Sequence, residues 1–170
     1  MQKVTVLCVG KLKEAFYAAA VAEYQKRLQR HCKLEIVELP EQKLPESPAP
    51  AEIEQALARE AALIEEKLPK GGAVIALCIE GTELSSEALS KKLAQLASAG
   101  ASQLTFLIGG SSGLHPRVKQ RADLRHALVI LRKDFQKSRR FKAVAQQRRF
   151  LLQKALVFRQ RGFIVGTKLA

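Results

Sequence analysis

Two short apolar runs, each followed closely by glycine, constrain the fold of this chain more than any other feature. Ala73–Ile79 reads AVIALCI and is followed by Gly81, and Leu104–Ile108 reads LTFLI and is followed directly by Gly109. A run of this length, without regular polar alternation, is typical of a strand that is covered on both faces. We therefore predict that these two strands lie at the centre of a mainly parallel sheet.

Strand and helix patterns alternate through the rest of residues 1–124. Further strands are predicted at Lys3–Val9 and Leu34–Leu39. Helices are predicted over Glu14–Arg30, over Ala51–Leu68, from Ser85 or Ser86 to Ala99, and more briefly over Val118–Leu124. Ala127–Leu131 is a candidate fifth strand. Alternating strands and helices predict an α/β fold, with a mainly parallel sheet flanked by helices.

A glycine-rich loop, GGSSG at Gly109–Gly113, follows the second buried strand. Glycines allow backbone conformations closed to other residues and let a ligand approach the main chain. Such a loop at the carboxyl end of a strand is where α/β proteins tend to bind small molecules. It is neither a P-loop nor a GxGxxG motif. From the glycines alone, an ordinary strand-to-helix turn is the commoner explanation.

Bulk composition places the chain among globular proteins. Its 170 residues suggest one domain, with 47% hydrophobic and 26% charged residues. No apolar stretch approaches the roughly 18 residues of a membrane span, and the amino terminus reads as a first strand, not as a signal peptide. Cys8, Cys32 and Cys78 are scattered without a CxxC pair. They are expected to be small buried residues in a reducing cytosol, with neither a disulfide framework nor a metal site.

The positive charge is concentrated at one end of the sequence. Residues 1–124 hold 16 Lys and Arg against 15 Asp and Glu, whereas residues 125–170 hold 13 Lys and Arg against Asp134 alone. Nearly all of the formal net charge of +13 therefore belongs to the last 46 residues. Clustered positive charge attracts phosphates, so this segment is a candidate RNA-binding tail. Alternatively, this basic tail is not the C-terminal sequence that the fold normally carries.

Four separated motifs agree with one protein family. They read MQKVTVLCVGKLKEAFYAAAVAEYQKRL at 1–28, IVELPEQK at 36–43, IALCIEGTELSSEALSKKL at 75–93 and FLIGGSSGLHPRVKQRADL at 106–124. Together they closely resemble the ribosomal RNA large subunit methyltransferase H family. Its members are minimal SPOUT-class enzymes that consist of little more than a knotted α/β domain. The resemblance covers residues 1–124 nearly continuously.

The resemblance implies a function, a cofactor and a site. The family methylates N3 of a pseudouridine in large-subunit (23S) ribosomal RNA with S-adenosylmethionine, as a cytoplasmic homodimer acting on the assembled ribosome. Two cofactor contacts of the family match Leu77, in IALCIEG, and Gly109, the first glycine of the loop. The main chain at Gly110 is expected to contribute beside them. By residue type alone, the simpler explanation for Leu77 is a place in the core.

Residues 125–170 depart from the family pattern. The family's knotted loop reads like SFSKMTFPHQ, and its members end with an Arg-rich helix and a terminal Tyr-His pair. This chain has no FPH, no EQ-x-YRA and no YH near its C-terminus. The segment is either a genuine basic extension or the product of a slipped reading frame near Arg125. Allowed codons for VILRKDF at Val129–Phe135, read one base later, can spell SFSEKT. We therefore divide the chain into a methyltransferase core at 1–124 and an atypical segment at 125–170.

Other candidate functional residues are polar side chains near the loops. His115 is the candidate proton acceptor nearest the glycine loop in sequence, His31 and His126 have weaker claims, and no catalytic base is assigned. RNA contact is expected from Lys11, Lys13, Arg117, Lys119 and Arg121, although each is also explained as a solvated surface charge. Two competing functions remain, a non-catalytic ribosome-binding or RNA-binding protein and an inactive, frameshifted methyltransferase.

Overall fold

The computed structural model describes residues 1–127. Strands and helices alternate along this part of the chain. The strands are β1 (Gln2–Val9), β2 (Cys32–Leu39), β3 (Ala73–Glu83), β4 (Gln103–Ile108) and β5 (Leu124–Ala127). The helices are α1 (Ala15–Leu28), α2 (Pro50–Lys67), α3 (Ser86–Ser98) and α4 (Pro116–Gln120).

The strands form one sheet in the order β2-β1-β4-β3-β5, and every neighbouring pair is parallel. Strand β4 is at the centre, with β3 beside it, as the two continuous apolar runs predict. The predicted α/β class is therefore confirmed. The C-terminal segment on which a SPOUT knot depends lies outside the described residues, so the knot itself stays a prediction.

Apolar side chains cover both faces of the sheet. On one face, residues of β1, β3 and β4 form a cluster that Leu93 and Leu96 of α3 cover, and α1 packs Val21 and Leu28 beside it. On the other face, Ala61 and Ile64 of α2 join Leu7, Leu107 and Val118 in a second cluster. Burial on both faces explains why β3 and β4 lack polar alternation.

The segment after the glycine loop differs from the sequence prediction. The helix predicted at Val118–Leu124 starts earlier, at Pro116, and ends at Gln120. The chain then enters the sheet at Leu124, three residues before the predicted fifth strand at Ala127–Leu131, most of which lies outside the described residues. Two hydrogen bonds between Asp123 and Val74 explain why the strand begins earlier. The backbone N–H of Asp123 donates to the carbonyl oxygen of Val74 at 2.9 Å, and its carboxylate accepts from the N–H of Val74 at 2.8 Å.

Candidate functional site

The predicted cofactor contacts lie together at the carboxyl edge of the sheet. Leu77 pairs with Ile108 in the parallel ladder between β3 and β4, so the chain leaves β4 at Gly109 directly beside the Leu77 strand. The side chain of Leu77 is 3% exposed and belongs to the core. The fold thus brings the end of the Leu77 ladder and Gly109–Gly110 to one edge of the sheet.

The glycine loop is a tight turn closed on itself. The N–H of Gly113 donates to the carbonyl oxygen of Gly110 at 3.1 Å, and Gly113 has a φ of +88°, in the left-handed region that favours glycine. A Cβ on Gly109 would overlap the carbonyl of Gly113 and lie 2.9 Å from the nitrogen of Leu114. Close backbone approach therefore explains Gly109, while backbone conformation explains Gly113.

A carboxylate that sequence analysis did not identify braces this loop. Glu41 follows the end of β2, and its Oε1 accepts a hydrogen bond from the N–H of Ser111 at 2.7 Å. A Cβ on Gly110 would lie 2.9 Å from the same oxygen, and a Cβ on Gly10 would lie 3.6 Å from Oε2. Glu41 thus links the end of β2 to the loop after β4, and its carboxylate lies beside Gly10 after β1. The signal that could have found it is its place in IVELPEQK, a motif noted for its resemblance only.

A buried acid on α2 holds the residue next to Glu41. Glu60 is 6% exposed, and its Oε1 accepts from the N–H of Gln42 at 2.8 Å. Burial raises the pKa of Glu60, the hydrogen bond from Gln42 opposes that shift, and the charge of Glu41 adds to it. The segment after β2 is therefore tied to α2 on one side and to the glycine loop on the other.

An irregularity in β3 shapes the edge beside Leu77. Both Leu77 and Thr82 register with His126 of β5, and the residues between them leave the ladder. A Cβ on Gly81 would lie 2.6 Å from the carbonyl carbon of His126, so this crossing requires glycine. His126 is 1% exposed, with Nδ1 3.0 Å from the carbonyl oxygen of Thr82. These contacts explain His126 as part of the β3–β5 packing.

His115, the histidine nearest the loop in sequence, caps α4. Its Nδ1 accepts from the N–H of Arg117 at 3.1 Å, and its Nε2 lies 2.9 Å from Oε1 of Glu54 on α2. With Nδ1 accepting, Nε2 carries the proton and donates to Glu54. Both ring nitrogens thus have structural partners, and helix capping accounts for His115.

The three basic residues after the loop pair with acids. Arg117 Nε lies 3.1 Å from Oε1 of Glu65, and Arg121 Nη1 lies 3.9 Å from the same oxygen. Lys119 Nζ donates to Glu80 of β3, and this hydrogen bond is the main cause that lowers the pKa of Glu80. These pairs fasten α4 to α2 and β3, and they reduce the positive charge that α4 presents.

Lys11 and Lys13 lie in the connection between β1 and α1, at the same carboxyl edge, and both are exposed. The N–H of Leu12 between them donates to Oε1 of Glu38 at 3.3 Å, which orders the connection. Phe16, in the first turn of α1, is 65% exposed. This edge therefore offers two cations and an aromatic ring, the groups that nucleic-acid surfaces use.

Among residues 1–127, His, Cys, Asp and Glu form no group of three or more that could hold a metal ion. No helix within these residues has the length and apolar character needed to cross a membrane.

Comparisons with known proteins identify the family of this chain. The family model described as predicted SPOUT methyltransferase matches residues 2–131. The chain is 48% identical over 120 residues to ribosomal RNA large subunit methyltransferase H of Limosilactobacillus reuteri, covering 71% of this chain and 76% of the relative. The proteins of the same name from Streptococcus equi subsp. zooepidemicus and Leuconostoc citreum are 45% identical over 129 residues and 42% over 128. These alignments cover 76% and 75% of this chain, and 81% and 80% of the relatives.

Proposed function

Because the chain belongs to the ribosomal RNA large subunit methyltransferase H family of SPOUT methyltransferases, we propose that it methylates large-subunit ribosomal RNA. The reaction is transfer of a methyl group to N3 of a pseudouridine, with S-adenosylmethionine as donor. The protein acts as a homodimer in the cytoplasm. Family membership supports the reaction class, and the resemblance described above supplies the nucleotide, donor and assembly.

The observation that carries this proposal is the meeting of Leu77 and Gly109–Gly110 at one edge. The residues suit the donor, because main-chain groups beside glycine can bind a nucleoside without competition from side chains. Gly110 is half-buried, and Ser111 after it is exposed. The main chain at these positions would hold the donor, beside the strand that carries Leu77.

The donor, a sulfonium, supplies an already activated methyl group. The task of the chain is therefore to align the acceptor nitrogen with that group and to keep the two in reacting distance. A rigid loop suits this role, and the Gly110–Gly113 hydrogen bond restrains the Gly109–Gly113 turn. The acceptor N3–H must also lose its proton to a base or to water, and no residue is assigned to that step.

RNA contact is proposed for the carboxyl edge. Lys11 and Lys13 are the main candidates because they flank the connection that leads from the edge to α1. Arg117, Lys119 and Arg121 are also candidates, and their acidic partners offset part of their charge. Phe16 adds a ring on which an unpaired base can stack.

The reading-frame hypothesis remains part of the proposal. The match to the family model ends at residue 131, close to the point where the charge pattern changes. Residues 128–170 lie outside the described structure, so the division of the chain at 124 stays a prediction. Sequencing the source DNA tests it. An intact frame that encodes this tail, with no FPH motif in the neighbouring frame, would remove the hypothesis of a slipped frame.

Calorimetric titration of S-adenosylmethionine into the full chain, with ribosome cosedimentation in parallel, tests the function. The proposal predicts donor binding and ribosome binding together. Ribosome binding without donor binding would favour a non-catalytic RNA-binding protein. A chain that is insoluble or binds neither partner would indicate an inactive product.

A further inference from the structure

We propose that Glu41 is a positioning residue that holds the glycine loop in the conformation needed to bind the donor. The inference rests on the proposed function, because it assigns Glu41 a role toward that same site. It concerns the peptide between Gly110 and Ser111, whose N–H is fixed by a side chain from a different strand end.

The geometry is that of a brace across three strand ends. Glu41 leaves the sheet at the end of β2, which is an edge strand, and reaches past β1 to the loop after β4. The hydrogen bond from Ser111 N to Glu41 Oε1 is 2.7 Å long. A carboxylate acceptor makes such a bond about twice as strong as a neutral one.

Two glycines lie beside this carboxylate. A side chain at Gly110 would begin 2.9 Å from Oε1 of Glu41, so the carboxylate would have to shift to admit it. A side chain at Gly10, where φ is +93°, would begin 3.6 Å from Oε2. Glycine at position 110 thus lets the Glu41 carboxylate keep the position from which it accepts the Ser111 N–H.

The brace is itself anchored. The residue after Glu41 is Gln42, whose N–H donates to the buried carboxylate of Glu60 at 2.8 Å. Helix α2 therefore fixes the main chain from which Glu41 reaches. Ser111 and Ser112, by contrast, are exposed at the tip of the loop. Loss of the Glu41 carboxylate would leave the Ser111 N–H to solvent and give the Gly110–Ser111 peptide more freedom, which donor binding would then have to restrict.

Two substitutions test whether the Ser111 N–H needs an acceptor oxygen at position 41. Glu41→Ala removes the acceptor, whereas Glu41→Gln keeps an amide oxygen that can accept from Ser111. Glu66→Ala is the matched control, since Glu66 lies exposed on α2 and pairs with its neighbour Lys67. Each full-length variant is titrated with S-adenosylmethionine by calorimetry, and the exchange rate of the Ser111 amide hydrogen is measured without donor.

The expected result for Glu41→Ala is donor affinity weaker by about tenfold and Ser111 exchange faster by a similar factor. Glu41→Gln should restore part of both, leaving each about threefold from the parent value because its hydrogen bond is neutral, and Glu66→Ala should change neither. Unaltered donor affinity in Glu41→Ala, with a parent chain that binds donor, would overturn this inference alone. Equal losses in Glu41→Gln and Glu41→Ala would overturn it too, because an acceptor would not suffice. A parent chain that binds no donor would overturn the proposed function and this inference together.

Discussion

Replacement of Gly109 by alanine tests whether the packing of the glycine loop creates the donor site. The new Cβ would overlap the carbonyl of Gly113 and lie 2.9 Å from the nitrogen of Leu114. Ordinary van der Waals contact for such an atom begins near 3.4 Å. Even the more distant of these groups must therefore move by about 0.5 Å, and the groups concerned are backbone atoms that cannot rotate away.

Two opposing effects determine how much Gly109→Ala changes the free energy of unfolding. Overpacking of this kind costs about 1–3 kcal/mol, and contact with backbone places Gly109→Ala near the upper end. Alanine also restricts the unfolded chain, which returns roughly 0.4–1 kcal/mol because Gly109 is not among the positive-φ glycines. The net loss is about 2 kcal/mol in the free energy of unfolding, or roughly 4–8 °C in the unfolding midpoint for a chain of this size.

Gly100→Ala is the matched control. Gly100 has a φ of +100° with nothing within 4 Å of its Cβ position, and it lies before β4, at the other end of that strand. Its substitution should cost about 1–2 kcal/mol through backbone strain alone. Urea unfolding measures both stability losses, and calorimetry with S-adenosylmethionine measures affinity. Gly109→Ala should weaken donor binding at least about tenfold, because that factor corresponds to the loss of one good hydrogen bond. Gly100→Ala should leave donor binding unchanged. Equal donor affinity in the two variants would refute the reasoning.

Three further predictions concern charged groups. Burial raises the pKa of Glu60, so the charged carboxylate destabilises the folded state above that pKa. Glu60→Gln should therefore raise the urea midpoint at pH 7, by an amount that shrinks toward roughly pH 4. A difference that does not depend on pH would contradict this prediction. Lys119 lowers the pKa of Glu80, so Glu80→Gln should lower the urea midpoint at pH 7. The difference from the parent should shrink as the pH falls below the ordinary pKa of a glutamate, and a difference that stays constant down into acid would exclude the pairing as its cause. Reversal of Lys11 and Lys13 to Glu should weaken ribosome binding and reduce its salt slope by about 1.5, whereas an unaltered slope would remove this edge as the RNA surface.

Local pattern and strand direction determine much of the site. The continuous apolar runs at Ala73–Ile79 and Leu104–Ile108 predict adjacent buried strands, and the structure places β3 beside β4. Once two parallel strands are neighbours, their carboxyl ends share an edge. The approach of Leu77 to Gly109 therefore follows from sequence patterns that span only a few residues each.

Contacts between distant segments were not accessible in the same way. Glu41 and Ser111 are 70 positions apart, and a carboxylate after a strand carries no local sign of the loop that it will meet. The ion pair of Arg117 with Glu65 likewise depends on how α4 docks against α2. Asp123 starts β5 early because it bonds Val74, a choice set by tertiary hydrogen bonds that override local helix preference.

Transfer of labelled methyl groups to ribosomes tests the central claim most directly. Ribosomes that lack the modification are incubated with the full chain and S-adenosylmethionine carrying a deuterated methyl group, and nucleosides from the large-subunit RNA are identified by mass spectrometry. The account predicts one labelled methyl per ribosome, on N3 of a pseudouridine, and slower labelling by Gly109→Ala when the donor is not saturating. Absence of label from a parent chain that binds both donor and ribosomes would contradict the assignment as a methyltransferase.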